Sequence, residues 1–243
     1  MLQQGWTVVT GGSRGIGAAV VRRLAASGRD VVIGYRRERE AAEAVARDAR
    51  AADVHAAVLQ VDVADPASVD RLFDEAESFG PVRGVVANAG AATVTGRLED
   101  LPVEGLRRDL DVLVLGTLLT LRRGVPALRR VGGGAMVAIS SGAATLGSPG
   151  EYVHYAAAKA AVDAMVLGLG RELAADGIRV NAVAPGLVET GFHLDPERPA
   201  RIAPTVPMRR AGEPEEIAVA VAWLLSAEAS YATATTLRVT GGR

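Results

Sequence analysis

Short runs of β-branched and apolar residues recur along the chain, each followed by a longer stretch in which alanine and leucine interleave with arginine and acid at helical spacing. Such short runs fit buried strands, and the amphipathic stretches between them fit helices laid on a sheet. The pattern predicts strands at 7–10, 30–34, 56–61, 84–88, 135–140, 179–184 and 236–239, with helices beginning near Gly15, Glu38, Pro66, Val103, Tyr152 and Pro214. Alternating strand and helix build βαβ units, so the expected fold is α/β: a doubly wound parallel sheet of about seven strands with helices on both faces.

Two helix starts carry explicit signals. Asp65 places a capping carboxylate before the first-turn Pro66, and Glu213-Pro214-Glu215-Glu216 brings acid to the positive end of a helix. One segment, 188–207, breaks the alternation. It holds Pro196, Pro199, Pro204 and Pro207 and is long for a connection, so it is expected to form a lid. No short-period repeat or low-complexity linker divides the remainder, and 1–243 reads as a single domain.

Composition narrows the function classes. Hydrophobic residues make up 49% of the chain and aromatics only 4%, so alanine, valine and leucine must supply the core. A net charge of −1, spread over segments of mixed sign, gives no reason to expect nucleic acid or an anionic membrane as partner. The absence of cysteine excludes disulfides, thiolate catalysis and cysteine metal sites. The N-terminus runs straight into a strand-like segment without a charged leader or a span of about 20 apolar residues, and a cytoplasmic protein is expected.

The first strand leads into Thr10-Gly11-Gly12-Ser13-Arg14-Gly15-Ile16-Gly17, a glycine-rich turn that opens a helix. Glycines admit close backbone approach to a pyrophosphate, and the helix start offers unpaired N–H groups to it. The second strand ends Ile33-Gly34-Tyr35-Arg36-Arg37, with no acid placed to bind a ribose 2′-hydroxyl. Arg36, with Arg14 from the glycine loop, suits a 2′-phosphate, which makes NADP(H) the expected cofactor.

The chain has 26 arginines and one lysine. That lysine, Lys159, follows Tyr155 by four residues, a spacing that places both side chains on one helix face. An ammonium is compact and its charge is tunable, whereas a guanidinium is a planar fork that stays charged. An adjacent ammonium would favour the phenolate and lower the Tyr155 pKa from about 10, which suits Tyr155 to proton transfer. Ser141, at the end of the fifth strand, is placed to donate to a substrate oxygen on which charge develops.

Taken in order, these motifs resemble the short-chain dehydrogenase/reductase family, a Rossmann-fold family with a 3-oxoacyl-reductase-like and sugar-dehydrogenase-like branch. The resemblance spans the chain: the glycine loop, Asp62, Ala87-Asn88-Ala89-Gly90, Ser140-Ser141, Tyr155 with Lys159, Asn181-Ala-Val-Ala-Pro185-Gly186, and Gly241-Gly242. It implies an oxidoreductase acting on a carbonyl and a secondary alcohol, with Ser141, Tyr155 and Lys159 as catalytic residues. It also implies a cofactor groove formed by Gly11, Ser13, Arg14, Gly15, Ile16, Gly17, Tyr35, Arg36, Asp62, Val63, Asn88, Ala89, Gly90, Tyr155, Lys159, Pro185, Gly186, Val188 and Thr190. Within that groove Asp62 would contact the adenine, Asn88 would fix the backbone on the cofactor side, Thr190 would meet the carboxamide and Lys159 would hold the ribose. A homotetramer is implied as well.

Three departures stand out. The interval from the serine pair to Tyr155 is one residue longer than the family's commonest, which leaves Ser140 beside Ser141 as a candidate. Leu113 replaces an asparagine that helps to hold a relay water, with Thr117 and Asp109 as neighbours that could substitute. Ala232-Thr-Ala234 replaces a frequent glycine and reads as a packing change. Leu113 is the feature that supports a second reading, a dinucleotide-binding sensor or scaffold; an isomerase or dehydratase on the same fold is a third.

The remaining candidates have simpler readings. His154 should point about 100° away from Tyr155, to a pocket rim or an interface. His193 falls in the expected lid, either touching substrate or facing solvent, and His55 at a strand entry; three scattered histidines make no metal site. Glu151 and Tyr152 border the catalytic helix as pocket-lining residues, or Glu151 as an acid facing the helix dipole.

Overall fold

The computed structural model of the chain describes residues 5–191 and 194–243. Among these, seven strands form one parallel sheet: β1 (Trp6–Thr10), β2 (Asp30–Tyr35), β3 (Ala56–Gln60), β4 (Val82–Ala87), β5 (Gly134–Ile139), β6 (Ile178–Pro185) and β7 (Thr236–Val239). Their order is β3-β2-β1-β4-β5-β6-β7. The chain winds outward from β1 in one direction and from β4 in the other, which opens a crevice between the carboxyl ends of these neighbouring strands.

The helices divide between the two faces. On one side α1 (Gly15–Ala25), α2 (Arg39–Arg50) and α9 (Pro214–Leu225) bury small side chains such as Ala18, Val21, Ala46 and Val221 against Val9, Val31, Ile33 and Val137. On the other, α3 (Pro66–Phe79), α5 (Gly116–Arg130) and α7 (Val153–Glu172) cover Val8, Val32, Val85 and Met136 with Leu72, Phe73, Leu121 and Val162. Both expected caps form. The Asp65 side chain accepts from the Ala67 amide at 3.1 Å, and Glu213 and Glu216 make a reciprocal capping box ahead of α9.

Four expectations need adjustment. Asn88 and Ser140 lie just past β4 and β5, which each end one residue earlier than the hydropathy run. The helix α4 (Val103–Leu110) does not run evenly into α5, because 111–115 forms a π-turn in which the Gly116 amide reaches the Asp111 carbonyl. Two short helices, α6 (Ala143–Leu146) and α8 (Arg198–Ile202), escape the sequence pattern because each is about one turn and has no period to read. Finally, Ala234 adopts φ +60°, so the glycine replacement is more than packing: a side chain is held in left-handed backbone beside Gly170, where an added Cβ would lie 2.6 Å from the Ala234 Cα.

Candidate active site

Apart from Tyr155 and Lys159, which lie on α7, each motif sits just past the carboxyl end of a strand, so the parallel sheet delivers them to one crevice. A cavity of about 500 Å³ there is lined by every residue of the expected cofactor groove and by Ser141, Tyr155 and Lys159, from Gly11 in the glycine loop to Thr190 in the 188–207 segment, whereas the relay candidates Asp109, Leu113 and Thr117 do not line it.

The glycine loop is shaped for a ligand. Gly11 and Gly15 have φ of +66° and +53°, and a Cβ on Gly17 would lie 2.2 Å from the Gly11 carbonyl oxygen. Larger residues would fill the cradle that the loop leaves open at the start of α1. Asn88 holds this loop from the side: its Nδ2 donates to the Thr10 and Gly11 carbonyls, each at 3.0 Å. The Thr10 hydroxyl accepts the Asn88 amide at 3.1 Å and the Ala89 amide at 3.2 Å.

At the β2 end two of the arginines are already paired. Arg36 Nε lies 3.0 Å from Asp62, and Arg14 pairs with Glu38 at 3.1 Å. Glu38 corrects the expectation that no acid stands here: it lines the cavity three residues beyond Tyr35. Arg37 lines the same end, and among the described residues its side chain has no ion pair.

At the other end Ser141 and Tyr155 are hydrogen-bonded through their side chains. The Ser141 hydroxyl also accepts the Ala143 amide at 3.1 Å, whereas Ser140 is buried and turns its hydroxyl to the Lys159 carbonyl at 3.3 Å. The geometry therefore separates the two serines. Lys159 is 3% exposed, donates to the Ile139 carbonyl at 2.7 Å, and holds its ammonium 5.7 Å from the centre of the Tyr155 ring.

The expected lowering of the Tyr155 pKa is not what this geometry produces. The ring is partly accessible from the cavity, but crowding strips the phenol of solvent and pushes its pKa up to about 12, against the hydrogen bond with Ser141 and the charge of Arg198. Burial likewise disfavours the Lys159 ammonium and lowers its pKa to about 8, while Asp163 one turn away acts in the opposite sense.

The neighbouring elements differ from the sequence reading. His154 is neither at a rim nor exposed. The first turn of α7 packs on α4, and there His154 Nε2 lies 3.2 Å from the fully buried Asp109, which also accepts the Thr93 amide and hydroxyl at 2.9 and 2.7 Å. Asp109 is thereby committed to Thr93 and His154, and the Thr117 hydroxyl donates back to the Leu113 carbonyl at 2.8 Å; Leu113 itself is fully buried. Glu151 does not simply face a helix dipole: it pairs with Arg198 at 2.9 Å and Arg201 at 3.5 Å. Burial opposes its ionisation, but the two guanidinium groups outweigh that and hold its carboxyl below the usual range. Tyr152 lines the cavity, His55 sits at the entry to β3, and His193 lies outside the described residues. Arg198, which also lines the cavity, carried no signal in the sequence, because its proline-broken segment has no period.

Comparison with known proteins defines the class. The family profile described as Enoyl-(Acyl carrier protein) reductase matches residues 11–243, and the chain belongs to the short-chain dehydrogenase/reductase family of oxidoreductases. It is 42% identical to "Uncharacterized oxidoreductase YgfF" of Escherichia coli strain K12, over 97% of this chain and 98% of that one. It is 41% identical to "3beta-hydroxysteroid dehydrogenase 1" of Eggerthella lenta, over 97% and 92% of the two chains. Among solved structures, a blue fluorescent protein from a metagenomic library in complex with NADPH superposes with a TM-score of 0.91 at 33% identity, covering 98% of this chain and 97% of that one.

Proposed function

We propose that this chain is an NADP(H)-dependent oxidoreductase that interconverts a carbonyl and a secondary alcohol. The observation that carries the reading is a single cavity with a glycine cradle and arginines at one end and the Ser141–Tyr155 pair beside Lys159 at the other. The dehydrogenase and the NADPH complex among the similar proteins support it.

The residues present fit a dinucleotide. Gly11, Gly15 and Gly17 leave room for a pyrophosphate, Asp62 stands for the adenine side, and Arg14, Arg36 and Arg37 for a 2′-phosphate. When bound, the nicotinamide supplies or accepts the hydride. Tyr155, kept protonated by burial, donates the proton to the carbonyl oxygen, and Ser141 holds that oxygen by a hydrogen bond. Lys159, anchored on the Ile139 carbonyl, presents its remaining donors to the ribose side and keeps positive charge near the phenol.

One domain carries both halves of the site, with 188–207 as the lid over the substrate end. The same reading places the protein in the cytoplasm as a homotetramer. Exposed apolar side chains on the π-turn and α5, Leu115 and Leu118, and on α7, Val153 and Leu167, support the oligomer.

Titration with NADPH and NADH, followed by reduction of a panel of ketones, quinones, sugars and acyl esters, tests the function. NADPH should bind at least tenfold more tightly, a difference of about 1.4 kcal/mol and within reach of one charge-assisted contact. Equal affinities would remove the NADP(H) assignment, and absence of turnover with every substrate class would favour a binding protein.

A further inference from the structure

Arg198 is an unusual neighbour for an active-site tyrosine. Its side chain is 13% exposed, it lines the cavity that holds Ser141 and Tyr155, and its guanidinium carbon lies 5.3 Å from the centre of the Tyr152 ring. Tyr152 in turn stands 6.2 Å from the Tyr155 ring, so one aromatic side chain separates the guanidinium from the phenol. The cation is close enough for its charge to act on Tyr155.

Its donors are only partly used. Nε and Nη2 both donate to the same oxygen of Glu151, at 3.1 and 2.9 Å, and among the described residues Nη1 has no partner. The other oxygen of Glu151 is directed to Arg201, which also bonds Asp195 at 3.0 Å. Glu151 thus fixes the plane of the Arg198 fork along one side and leaves its outer edge uncommitted. A guanidinium edge presents two parallel N–H groups, a geometry that matches one carboxylate.

We propose that Arg198 is a specificity-determining residue that receives the carboxylate of a small oxo acid or hydroxy acid, a few atoms from the carbon that reacts at Tyr155. The proposal rests on the oxidoreductase reading of the same cavity, and it names the substrate class that the reading leaves open. Substrates of this kind are recognised at two points. The carbonyl oxygen meets Ser141 and Tyr155, and the carboxylate meets Arg198, so the reacting carbon is held in register.

The test uses the full chain saturated with NADPH and a matched pair of probes, cyclohexanecarboxylate and cyclohexanecarboxamide, titrated by calorimetry. The carboxylate should bind at least tenfold more tightly than the amide. In Arg198→Gln the two affinities should fall within twofold of each other, with amide binding unchanged. Arg201→Gln, which cuts the ion pairs to Glu151 and Asp195 but keeps Arg198, should preserve the preference. Equal binding of the two probes by the wild type, no binding of either, a preference that survives in Arg198→Gln, or its equal loss in Arg201→Gln would each overturn the proposal and leave Arg198 as a latch on the lid. NADPH affinity is measured separately on the same samples. Failure to bind NADPH would therefore strike the oxidoreductase reading, while normal NADPH binding without carboxylate preference would strike only Arg198.

Discussion

At the scale of single residues the site is organised by desolvation. Burial raises the Tyr155 pKa to about 12 and lowers that of Lys159 to about 8, so both groups are pushed towards their neutral forms. A tyrosine that keeps its proton is ready to donate one, and reduction should be insensitive to pH through the neutral range. Oxidation needs the phenolate, so its rate should climb as pH rises; matched profiles in both directions, taken with saturating cofactor, check this. Tyr155→Phe should keep NADPH affinity and lose most turnover, because only the proton donor is removed. For Lys159 the sign of the stability effect is opposite to its catalytic value. Because its folded pKa is depressed, the unfolded chain binds the extra proton between about pH 8 and the ordinary lysine value of 10.5, and stability rises with pH across that window. Below it the buried ammonium is a liability of up to about 3.5 kcal/mol, at about 1.4 kcal/mol per pKa unit. Lys159→Met should therefore be inactive yet more stable at pH 7, by about 1–2 kcal/mol once the lost bond to the Ile139 carbonyl is subtracted. Denaturant melts at pH 7 and 10 measure both the gain and its disappearance.

Elements show which features were legible in the sequence and which were not. The motif positions were readable because a parallel sheet turns sequence order into proximity: each motif apart from the Tyr155 and Lys159 pair on α7 follows a strand, and all strands point the same way. The π-turn at 111–115 was not, since its distinguishing feature is a shifted hydrogen bond with no trace in hydropathy. The pairing of Asp109 with His154 was hidden for another reason: the two lie 45 residues apart and meet only because α4 packs on α7. Likewise, Arg14 looked available for a ligand because the rotamers that carry it to Glu38 cannot be inferred from composition. Leu113 now has a clear consequence. It is fully buried, and Thr117 already donates to its carbonyl, so Leu113→Asn would bury an amide without partners and should destabilise the fold by about 1–3 kcal/mol without raising turnover. A faster enzyme of unchanged stability would refute this. Ala234 offers the converse case. Its φ of +60° suits glycine, and Ala234→Gly should stabilise the loop before β7 by about 1 kcal/mol, read as a rise in the thermal midpoint with activity unchanged.

The whole molecule presents a surface that one copy does not bury. Among the exposed large apolar side chains, Leu115 and Leu118 lie on the π-turn and α5, and Val153 and Leu167 on α7, with exposures from 36% to 43%. Scattered apolar residues are ordinary on any protein, but several on two helices that pack on the same face of the sheet make a band that a second copy can cover. Closed two-fold symmetry places identical bands against each other, and two such axes generate the proposed tetramer. If so, the interface helices include the one that carries Tyr155 and Lys159, and assembly and catalysis are linked through α7. Leu118→Glu introduces a charge into that band without touching the cavity residues. Light scattering at micromolar concentration should show the wild type at a multiple of 25.1 kDa and the variant shifted towards that mass. NADPH affinity should survive in the dissociated variant, because the glycine loop and its arginines all lie within one chain. Turnover should fall, as α7 loses the support of its partner. A wild-type mass near 25.1 kDa would exclude the tetramer, and a variant that dissociates with full turnover would break the link between assembly and catalysis.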